Sequence, residues 1–251
     1  MTDILITGGS DGIGFAVAKL LAAKGNTRVT LVARSEAELA QAVAALPGSG
    51  HDVIVADLSQ PEGVDLVARQ LAERHYDVLV NNAGAGLYGD FTDLPLDDQL
   101  HMMRLNMDSV SVLSHTYLRR AKPGDALVNT ASFLAYAPLP RNAVYSATKA
   151  FVATLSETLW WENKDKGVYV LGFSPGVVPT RFHGLAGKSV AAFPRVLVQS
   201  PETAARELAA ALRKRRSPSV VTGFATRQLV RLQRVVSRRT AINMMGRRSP
   251  T

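Results

Sequence analysis

Tyr145 and Lys149 are the residues of this sequence best suited to acid–base chemistry. They stand four positions apart in the run Tyr145-Ser-Ala-Thr-Lys149, and residues at that spacing share one face of a helix. A free phenol has a pKa of about 10, and a nearby ammonium favours the phenolate and lowers that value. Tyr145 is therefore a candidate acid and base, although such a pair on its own is more often an ordinary feature of a helix surface.

Ser132 is the third candidate for the chemistry. It follows a short apolar run, residues 125–131, which is typical of a buried strand. The sequence therefore places Ser132 where a strand meets a loop, able to hydrogen-bond a substrate carbonyl beside Tyr145. The stretch 129–151 is the expected centre of the chemistry.

A glycine-rich turn lies near the start of the chain. Residues 3–7 form a strand-like run, Gly8-Gly-Ser-Asp-Gly12-Ile-Gly14 follows, and residues 15–24 carry apolar side chains at helical spacing. Strand, glycine turn and helix in this order predict a dinucleotide site. Glycines let the backbone approach a pyrophosphate, and the helix N-terminus faces its negative charge.

These features resemble the short-chain dehydrogenase/reductase family in its compact branch. Seven motifs of the family occur in the family order over residues 3–180, which is more than chance agreement provides. They are TGxxxGxG as Thr7 to Gly14, Asp57-Leu58, Asn81-Asn82-Ala83-Gly84, Asn106, Ser132, Tyr145 with Lys149, and Pro175-Gly176 followed by Val178 and Thr180.

The alternation of strand-like and helix-like runs over residues 3–80 predicts a parallel sheet covered by helices on both faces. Together with the resemblance, this gives an α/β fold, a single-domain Rossmann fold with a doubly wound parallel sheet of about seven strands. We expect the catalytic domain over residues 1–224, with a substrate lid at about 181–199 and a basic amphipathic tail over 225–251. A chain of 251 residues with 47% hydrophobic content can build one such core.

The resemblance also implies roles for single residues. Ser132 and Tyr145 would bind the reacting oxygen, and Lys149 would lower the pKa of Tyr145 and bond the nicotinamide ribose. Asn106 would hold a water that links Lys149 to solvent, which completes the catalytic set of Asn106, Ser132, Tyr145 and Lys149. The implied cofactor-binding residues are Thr7, Gly8, Ser10, Gly12, Ile13, Gly14, Arg34, Ser35, Asp57, Leu58, Asn82, Ala83, Gly84, Tyr145, Lys149, Pro175, Gly176, Val178 and Thr180.

Arg34 bears on the choice of cofactor, because it follows the second predicted strand. In dinucleotide folds an acidic residue at this point bonds the ribose 2′-hydroxyl of NAD, whereas an arginine accommodates the 2′-phosphate of NADP. We therefore expect NADP(H) to be favoured over NAD(H), unless Arg34 is only a solvated surface charge. Asp11 is a departure, because many NADP-dependent members carry a basic residue there; hydrogen bonds from Ser10 and Ser35 would offset its charge.

Apolar side chains near the expected site suggest a hydrophobic carbonyl or secondary-alcohol substrate. The alternative is that these side chains pack on one another or on a neighbouring subunit. They are Phe133, Leu134, Tyr136, Leu139 and the pair Leu87-Tyr88, together with Phe182, Leu185, Val190, Phe193, Val196 and Leu197 of the expected lid.

Two other functions stay open. One is reduction of a carrier-bound 3-oxoacyl thioester, for which Arg181, Lys188, Arg195 or the tail would contact an acidic carrier. The other is a non-enzymatic NADP-binding sensor or scaffold. The complete set of Asn106, Ser132, Tyr145 and Lys149 argues against the sensor, because a binding protein needs no proton relay.

The C-terminal segment carries the positive charge of the chain. Eleven Lys and Arg residues and no Asp or Glu lie in residues 208–251, while the whole chain carries +8. On a single helix, Arg227, Arg231, Arg234 and Arg238 would share one face, and Ala225, Leu229, Leu232 and Val236 the opposite face. This composition fits packing on the body or on a partner subunit, or contact with a membrane surface. Nucleic-acid binding is not expected, because no recognition motif accompanies the charge.

The remaining composition sets outer limits on the function. The chain has no cysteine, which excludes disulfides and a thiol nucleophile and fits a reducing cytoplasm. The first strand begins within three residues of Met1, and no apolar run reaches the roughly 18 residues of a spanning helix. We expect a cytoplasmic protein, with peripheral membrane contact as the alternative, that binds no metal and forms a homodimer or homotetramer.

Overall fold

Seven strands form one fully parallel sheet in the computed structural model, which describes residues 1–181 and 193–246. The strand order is β3-β2-β1-β4-β5-β6-β7, which confirms the predicted Rossmann-type α/β fold. The strands are β1 Thr2–Thr7, β2 Thr27–Ala33, β3 Asp52–Val55, β4 Val78–Asn81, β5 Ala126–Thr130, β6 Tyr169–Ser174 and β7 Ser219–Val221.

Helices cover both faces of this sheet. On one face, two helices of the first half and one of the second pack around Leu21, Leu39 and Leu208, which are almost fully buried. On the other face, the core includes Leu71 and Leu113. The helices are α1 Gly12–Ala22, α2 Glu36–Ala44, α3 Pro61–Glu73, α4 Leu96–Met103, α5 Ser109–Leu118, α6 Ala143–Asn163, α7 Pro201–Lys214, α8 Phe224–Val235 and α9 Arg238–Gly246.

The strand order reverses between β1 and β4, and this reversal creates the crevice for a ligand. The chain runs from β1 outward to β2 and β3 and then returns to pair β4 on the other side of β1. Asn82, just after β4, ties the two strand ends together, because its Nδ2 donates to the carbonyls of Thr7 and Gly8, each at 3.1 Å. The carboxyl ends of the strands therefore line one side of the molecule.

The structure divides the helical pattern of residues 96–120 around Asn106. α4 ends at Met103, a π-helical turn spans Arg104–Asp108, and α5 begins at Ser109. Asn106 lies inside the π turn and is fully buried. Its amide bonds the backbone of Ala85 in both directions, at 3.0 Å and 2.9 Å, so bonds to a neighbouring segment accompany the irregular turn.

The tail is not the single basic helix that the sequence predicts, because it contains two helices. α8 ends at Val235, the backbone at Val236 is extended, and α9 starts at Arg238. The buried residues of α8 are Thr226 and Val230. Of the predicted apolar set, Leu229 packs against the same cluster as Val230, whereas Leu232 is 44% exposed. Arg227 turns toward the body, where its Nη1 lies 2.6 Å from a carboxylate oxygen of Glu207 on α7. None of the helices in the described part of the chain combines the length and apolarity needed to cross a bilayer.

Gly14 provides the first test, because a side chain there has no room. An added Cβ would lie 2.2 Å from the carbonyl oxygen of Gly8 and 2.5 Å from Nδ2 of Asn82. We expect Gly14→Ala to lower the free energy of unfolding by about 2–3 kcal/mol, since the turn must shift to accept the methyl group.

The free energy of unfolding is measured by urea titration, and Gly25→Ala is the matched control. Gly25 has φ +70° and no atom within 4 Å of an added Cβ, so only backbone strain of about 1 kcal/mol applies. Equal losses at the two positions would contradict close packing around Gly14.

Candidate active site

Tyr145 and Lys149 meet at the carboxyl end of β5. Both project from α6, and Nζ of Lys149 lies 5.8 Å from the centroid of the Tyr145 ring. The lysine side chain is only 4% exposed, and its Nζ donates a hydrogen bond to the carbonyl of Thr130 at 2.9 Å. The predicted helical pair therefore exists, and its cation is anchored to the last residue of the strand.

Ser132 stands beside this pair. It follows β5 in extended conformation and begins a 3-10 turn, Phe133–Ala135, where its Oγ accepts from the amide of Leu134 at 3.2 Å. Its side chain also hydrogen-bonds the phenol of Tyr145. Serine hydroxyl and phenol thus form a pair of groups that can bind the same oxygen atom of a substrate.

Burial dominates the protonation of this group. It raises the pKa of Tyr145 to about 12, although the hydrogen bond with Ser132 acts in the opposite direction. It lowers the pKa of Lys149 to about 8, because a low-dielectric environment disfavours the ammonium. The pKa of Tyr145 therefore lies above its ordinary value, whereas the pairing with Lys149 predicted a lower one. Near neutral pH the phenol keeps its proton, and the lysine is mostly charged.

Asn106 is connected to the same group from behind. Its Nδ2 donates to the carbonyl of Ala85 and, at 3.1 Å, to Oγ1 of Thr148 on α6. An added Cβ at Gly84 would lie 3.1 Å from Oδ1 of Asn106 and 3.3 Å from Nζ of Lys149. Asn106 therefore clamps the segment after β4 against α6 next to Lys149, and the water relay stays a prediction.

One large cleft of about 1160 Å³ extends across the carboxyl ends of the strands. Residues of the glycine turn, several apolar side chains and Tyr145 all line it. The predicted site residues that line it are Gly8, Ser10, Gly12, Ile13, Arg34, Ser35, Asp57, Leu58, Asn82, Ala83, Gly84, Ser132, Tyr145, Lys149, Pro175, Gly176, Val178 and Thr180.

Thr7, Gly14 and Asn106 do not line the cleft but lie behind its wall. Thr7 is buried, and its Oγ1 accepts from the amides of Asn82 and Ala83 at 2.9 Å and 3.0 Å. Gly14 packs against the carbonyl of Gly8. These three residues position the groups in front of them.

The glycine turn suits a dinucleotide. Gly12 has φ +56°, and an added Cβ would lie 2.8 Å from Cγ2 of Thr180, so the chain after β6 approaches the turn closely. The first backbone amides of α1 have no partners within the helix and provide hydrogen-bond donors for an anion. Asp11, which precedes α1, makes no side-chain capping bond that would occupy them.

The part of the cleft that follows β2 and β3, called the adenosine end because adenosine is expected there, contains residues that the motifs did not indicate. Glu38 and Arg181 line it together with the predicted Arg34 and Asp57. The run Ser35 to Glu38 has the Ser-x-x-Glu pattern of a capping box, and Ser35 indeed accepts from the amide of Glu38. The carboxylate of Glu38, however, bonds Arg181 and Ser10. Only the capping-box pattern could have drawn attention to this residue from the sequence.

The apolar end contains part of the predicted hydrophobic set. Phe133, Leu134, Leu87, Tyr88 and Phe193 line the cleft, as do the polar residues His101 and Asn142, which the sequence did not indicate.

Tyr136 and Leu139 do not line this end, so their predicted place at the substrate is wrong. The Tyr136 hydroxyl bonds Glu157 at 3.2 Å, and Leu139 is buried in a cluster with Met245 of α9. Phe182, Leu185, Lys188 and Val190 lie outside the described residues.

His75, Asp77 and Asp125 gather at the opposite edge of the sheet, before β4 and β5. Their carboxylates already accept protein hydrogen bonds, since Asp77 bonds the amide of Asp3 and Asp125 the amide of Lys122, both at 2.6 Å. Burial raises the pKa of Asp125. We assign no metal site to this group.

A doubly wound sheet with a glycine-lined cleft at its switch point defines a Rossmann-type nucleotide-binding protein. The family model described as short chain dehydrogenase matches residues 2–189, and the chain belongs to this family of oxidoreductases.

Two curated relatives and one solved structure illustrate the similarity. The chain is 38% identical over 195 residues to the uncharacterized oxidoreductase DltE of Bacillus subtilis, covering 74% of each protein. It is 34% identical over 197 residues to very-long-chain 3-oxoacyl-CoA reductase of Anas platyrhynchos, covering 74% of this chain and 62% of that protein. The structure of a short-chain dehydrogenase from Sphingobium yanoikuyae in complex with NADPH is 27% identical, with a TM-score of 0.83 over 95% of this chain and 97% of the other.

Lys149 provides a test of the electrostatics of this group. Its pKa is depressed to about 8 in the folded protein from an ordinary 10.5. The folded state therefore carries a penalty that is full below pH 8 and disappears as the pH rises to about 10.5. We expect Lys149→Met to raise the free energy of unfolding at pH 7 by about 1–2 kcal/mol, less than the full penalty, because the bond to Thr130 is lost.

The gain should shrink as the unfolding titration is repeated toward pH 10. Lys24→Met is the control, since Lys24 is exposed and should show no such dependence. A loss of stability in Lys149→Met at pH 7 would contradict the depressed pKa.

Proposed function

We propose that the protein transfers a hydride between NADP(H) and a carbonyl or secondary alcohol of an apolar substrate, with Tyr145 as the general acid and base. The observation that supports this most directly is the position of the Ser132–Tyr145 pair. The pair lines the same cleft as the glycine turn and the apolar side chains, and the buried Lys149 lies beside it. A carbonyl bound there would face proton donors on one side and the space for a nicotinamide on the other.

The cofactor proposal rests on Arg34 and on the cleft. Arg34 lies at the adenosine end, where an arginine suits a 2′-phosphate. The structural relative from Sphingobium yanoikuyae was solved with NADPH, which supports the same choice. When bound, NADPH supplies the hydride; the glycine turn and the residues after β6 would hold and orient it.

The proton comes from the protein. Because burial keeps the phenol of Tyr145 protonated, it is ready to donate to an oxygen on which negative charge develops. Ser132 donates a second hydrogen bond to that oxygen. The ammonium of Lys149 then stabilises the phenolate that remains, and we retain Asn106 as the residue through which the proton is replaced.

A 3-oxoacyl thioester is the second candidate substrate. The relative from Anas platyrhynchos is named as a very-long-chain 3-oxoacyl-CoA reductase, and an apolar wall of Phe133, Leu134 and Phe193 suits an acyl chain. Of the residues predicted to contact an acidic carrier, Arg181 bonds carboxylates inside the cleft instead. Arg195 is exposed and Lys188 lies outside the described residues. A reaction with a carrier-bound substrate that persists in high salt would count against charge contacts of this kind.

Assembly and location also remain proposals. Val112 on α5 and Trp161 on α6 are 41% and 63% exposed, which supports a homodimer or homotetramer; elution as a monomer in size-exclusion chromatography would refute it. The cytoplasmic location stays a prediction.

The tail has two parts with different proposed roles. α9 packs on the body through Met245. α8 presents Phe224 and Val235, 72% and 81% exposed, beside two arginines, which supports peripheral contact with anionic membrane. Failure of the protein to sediment with anionic vesicles would exclude that contact.

Tyr145→Phe tests the proposed acid. The substitution removes the hydroxyl and leaves the ring, so we expect turnover to fall by at least about a thousandfold while NADPH binding stays nearly intact. The measurement is NADPH oxidation with ketones, aldehydes and 3-oxoacyl thioesters of increasing apolar size, alongside NADPH fluorescence titration. Tyr136→Phe is the matched control, because that hydroxyl bonds Glu157 away from the cleft. A Tyr145→Phe enzyme with more than a few per cent of wild-type turnover would exclude Tyr145 as the acid.

The pH dependence of carbonyl reduction provides a second test. Lys149 is charged below its depressed pKa of about 8 and neutral above it, and the neutral form cannot stabilise a phenolate. We therefore expect kcat/KM for reduction to be level between pH 6 and pH 7.5 and to fall as the pH rises through about 8. A profile that stays level to pH 10 would show that the charge on Lys149 is not needed.

A further inference from the structure

Three charged side chains form an ion-pair network across the adenosine end of the cleft. Nε of Arg181 lies 2.7 Å from Oδ2 of Asp11. The two terminal nitrogens of the same guanidinium bond both carboxylate oxygens of Glu38, at 2.6 Å and 3.1 Å. One arginine thus pairs with two carboxylates and offsets one of their two negative charges.

The three residues come from separate parts of the chain. Asp11 lies in the glycine turn before α1, Glu38 in the first turn of α2, and Arg181 directly after Thr180. All three line the cleft alongside Arg34 and Ser10. Arg34 and Arg181 together balance the charges of Asp11 and Glu38, whereas Arg34 alone would be outweighed by the two carboxylates.

Exposed ion pairs contribute little to folding, and these side chains are 58%, 45% and 39% exposed for Arg181, Asp11 and Glu38. The hydrogen bond from Arg181 nevertheless lowers the pKa of Glu38, so its carboxyl group stays ionised. A bidentate guanidinium is the geometry that pairs most effectively with a carboxylate. The role of the network is therefore electrostatic, and its effect falls on whatever binds in this part of the cleft.

We propose that Arg181 determines cofactor specificity by pairing with Asp11 and Glu38 and offsetting part of their charge, so that the cleft accepts the 2′-phosphate of NADP. This inference rests on the proposed preference for NADP(H). Bare carboxylates here would repel a phosphate monoester, which carries about −1.5 to −2 at pH 7, but would accept a hydrogen bond from the 2′-hydroxyl of NAD. The proposal also explains how Asp11 is compatible with NADP although it stands where a basic residue was expected.

The experiment measures the dissociation constants of NADPH and NADH by nicotinamide fluorescence, with no substrate present. In Arg181→Ala we expect NADPH to bind about tenfold more weakly and NADH to change by less than about threefold. Adding Asp11→Asn and Glu38→Gln to that variant should restore NADPH binding to near the wild-type level. Competition by adenosine 2′,5′-bisphosphate and by AMP should show the same pattern, because these ligands occupy only the adenosine end.

Two variants serve as references. Arg206→Ala removes a positive charge outside the cleft and should change neither affinity. Arg34→Ala should weaken NADPH binding whether or not the network acts as proposed. Thermal unfolding midpoints should be unchanged in all variants, since every substituted side chain is at least partly exposed.

The outcomes separate the inference from the proposed function. Suppose that Arg34→Ala lowers the preference for NADPH, measured as the ratio of the NADPH and NADH affinities, and that Arg181→Ala leaves this ratio unchanged. That result would overturn only the inference. If Asp11→Asn and Glu38→Gln do not restore the NADPH binding that Arg181→Ala loses, Arg181 acts by direct contact with the cofactor. That result would also contradict the proposed effect through Asp11 and Glu38. A wild-type protein that binds NADH as tightly as NADPH would overturn the proposed cofactor and the inference with it.

Discussion

A lysine ammonium held almost entirely out of water is the feature on which the candidate site depends. Lys149 is 4% exposed, and Thr130 supplies the hydrogen bond that anchors its Nζ. Taking an ion out of water costs several kcal/mol even after partial compensation. The surrounding structure must therefore hold it firmly: Gly84 leaves room for Nζ, and Asn106 fixes the neighbouring backbone. A charge kept at such a cost is characteristic of a functional site rather than of a structural ion pair.

The π turn of Arg104–Asp108 is part of that support. One extra residue in a helical turn rotates everything after it by about 100° relative to a regular helix. Here the turn buries Asn106 between the segment after β4 and α6, while α5 still directs Leu113 and Tyr117 to the core. The irregular turn therefore satisfies two demands that one continuous helix would not meet. Such insertions are frequent at functional sites.

The sequence was sufficient for features that depend on neighbouring residues. Strand-like runs predicted the sheet, and the glycines predicted the turn before α1. Features set by distant contacts were missed. The break at Val236 and the rotated face of α8 depend on packing against the body, where Val230 joins a cluster with Phe133. The partner of Glu38 is 143 residues away. The predicted shift in the pKa of Tyr145 had the wrong direction, because the prediction considered only the charge of Lys149 and left out the effect of burial.

Charged groups are buried at one end of the cleft and exposed at the other. Substitutions at the two ends therefore differ in their effect on stability. Around Tyr145 and Lys149 the ammonium is buried. Removing the hydrogen bond to Thr130, or the space that Gly84 leaves, would therefore impose the full free-energy cost of a buried ion. At the adenosine end the charged side chains of Asp11, Glu38 and Arg181 are exposed to solvent, and each ion pair contributes little to folding stability. Substitutions there can therefore alter the potential that a cofactor meets while leaving the stability of the sheet and the geometry of Ser132, Tyr145 and Lys149 unchanged. Under the proposed function, the preference between NADP and NAD is therefore the property that few substitutions at this end would change most readily.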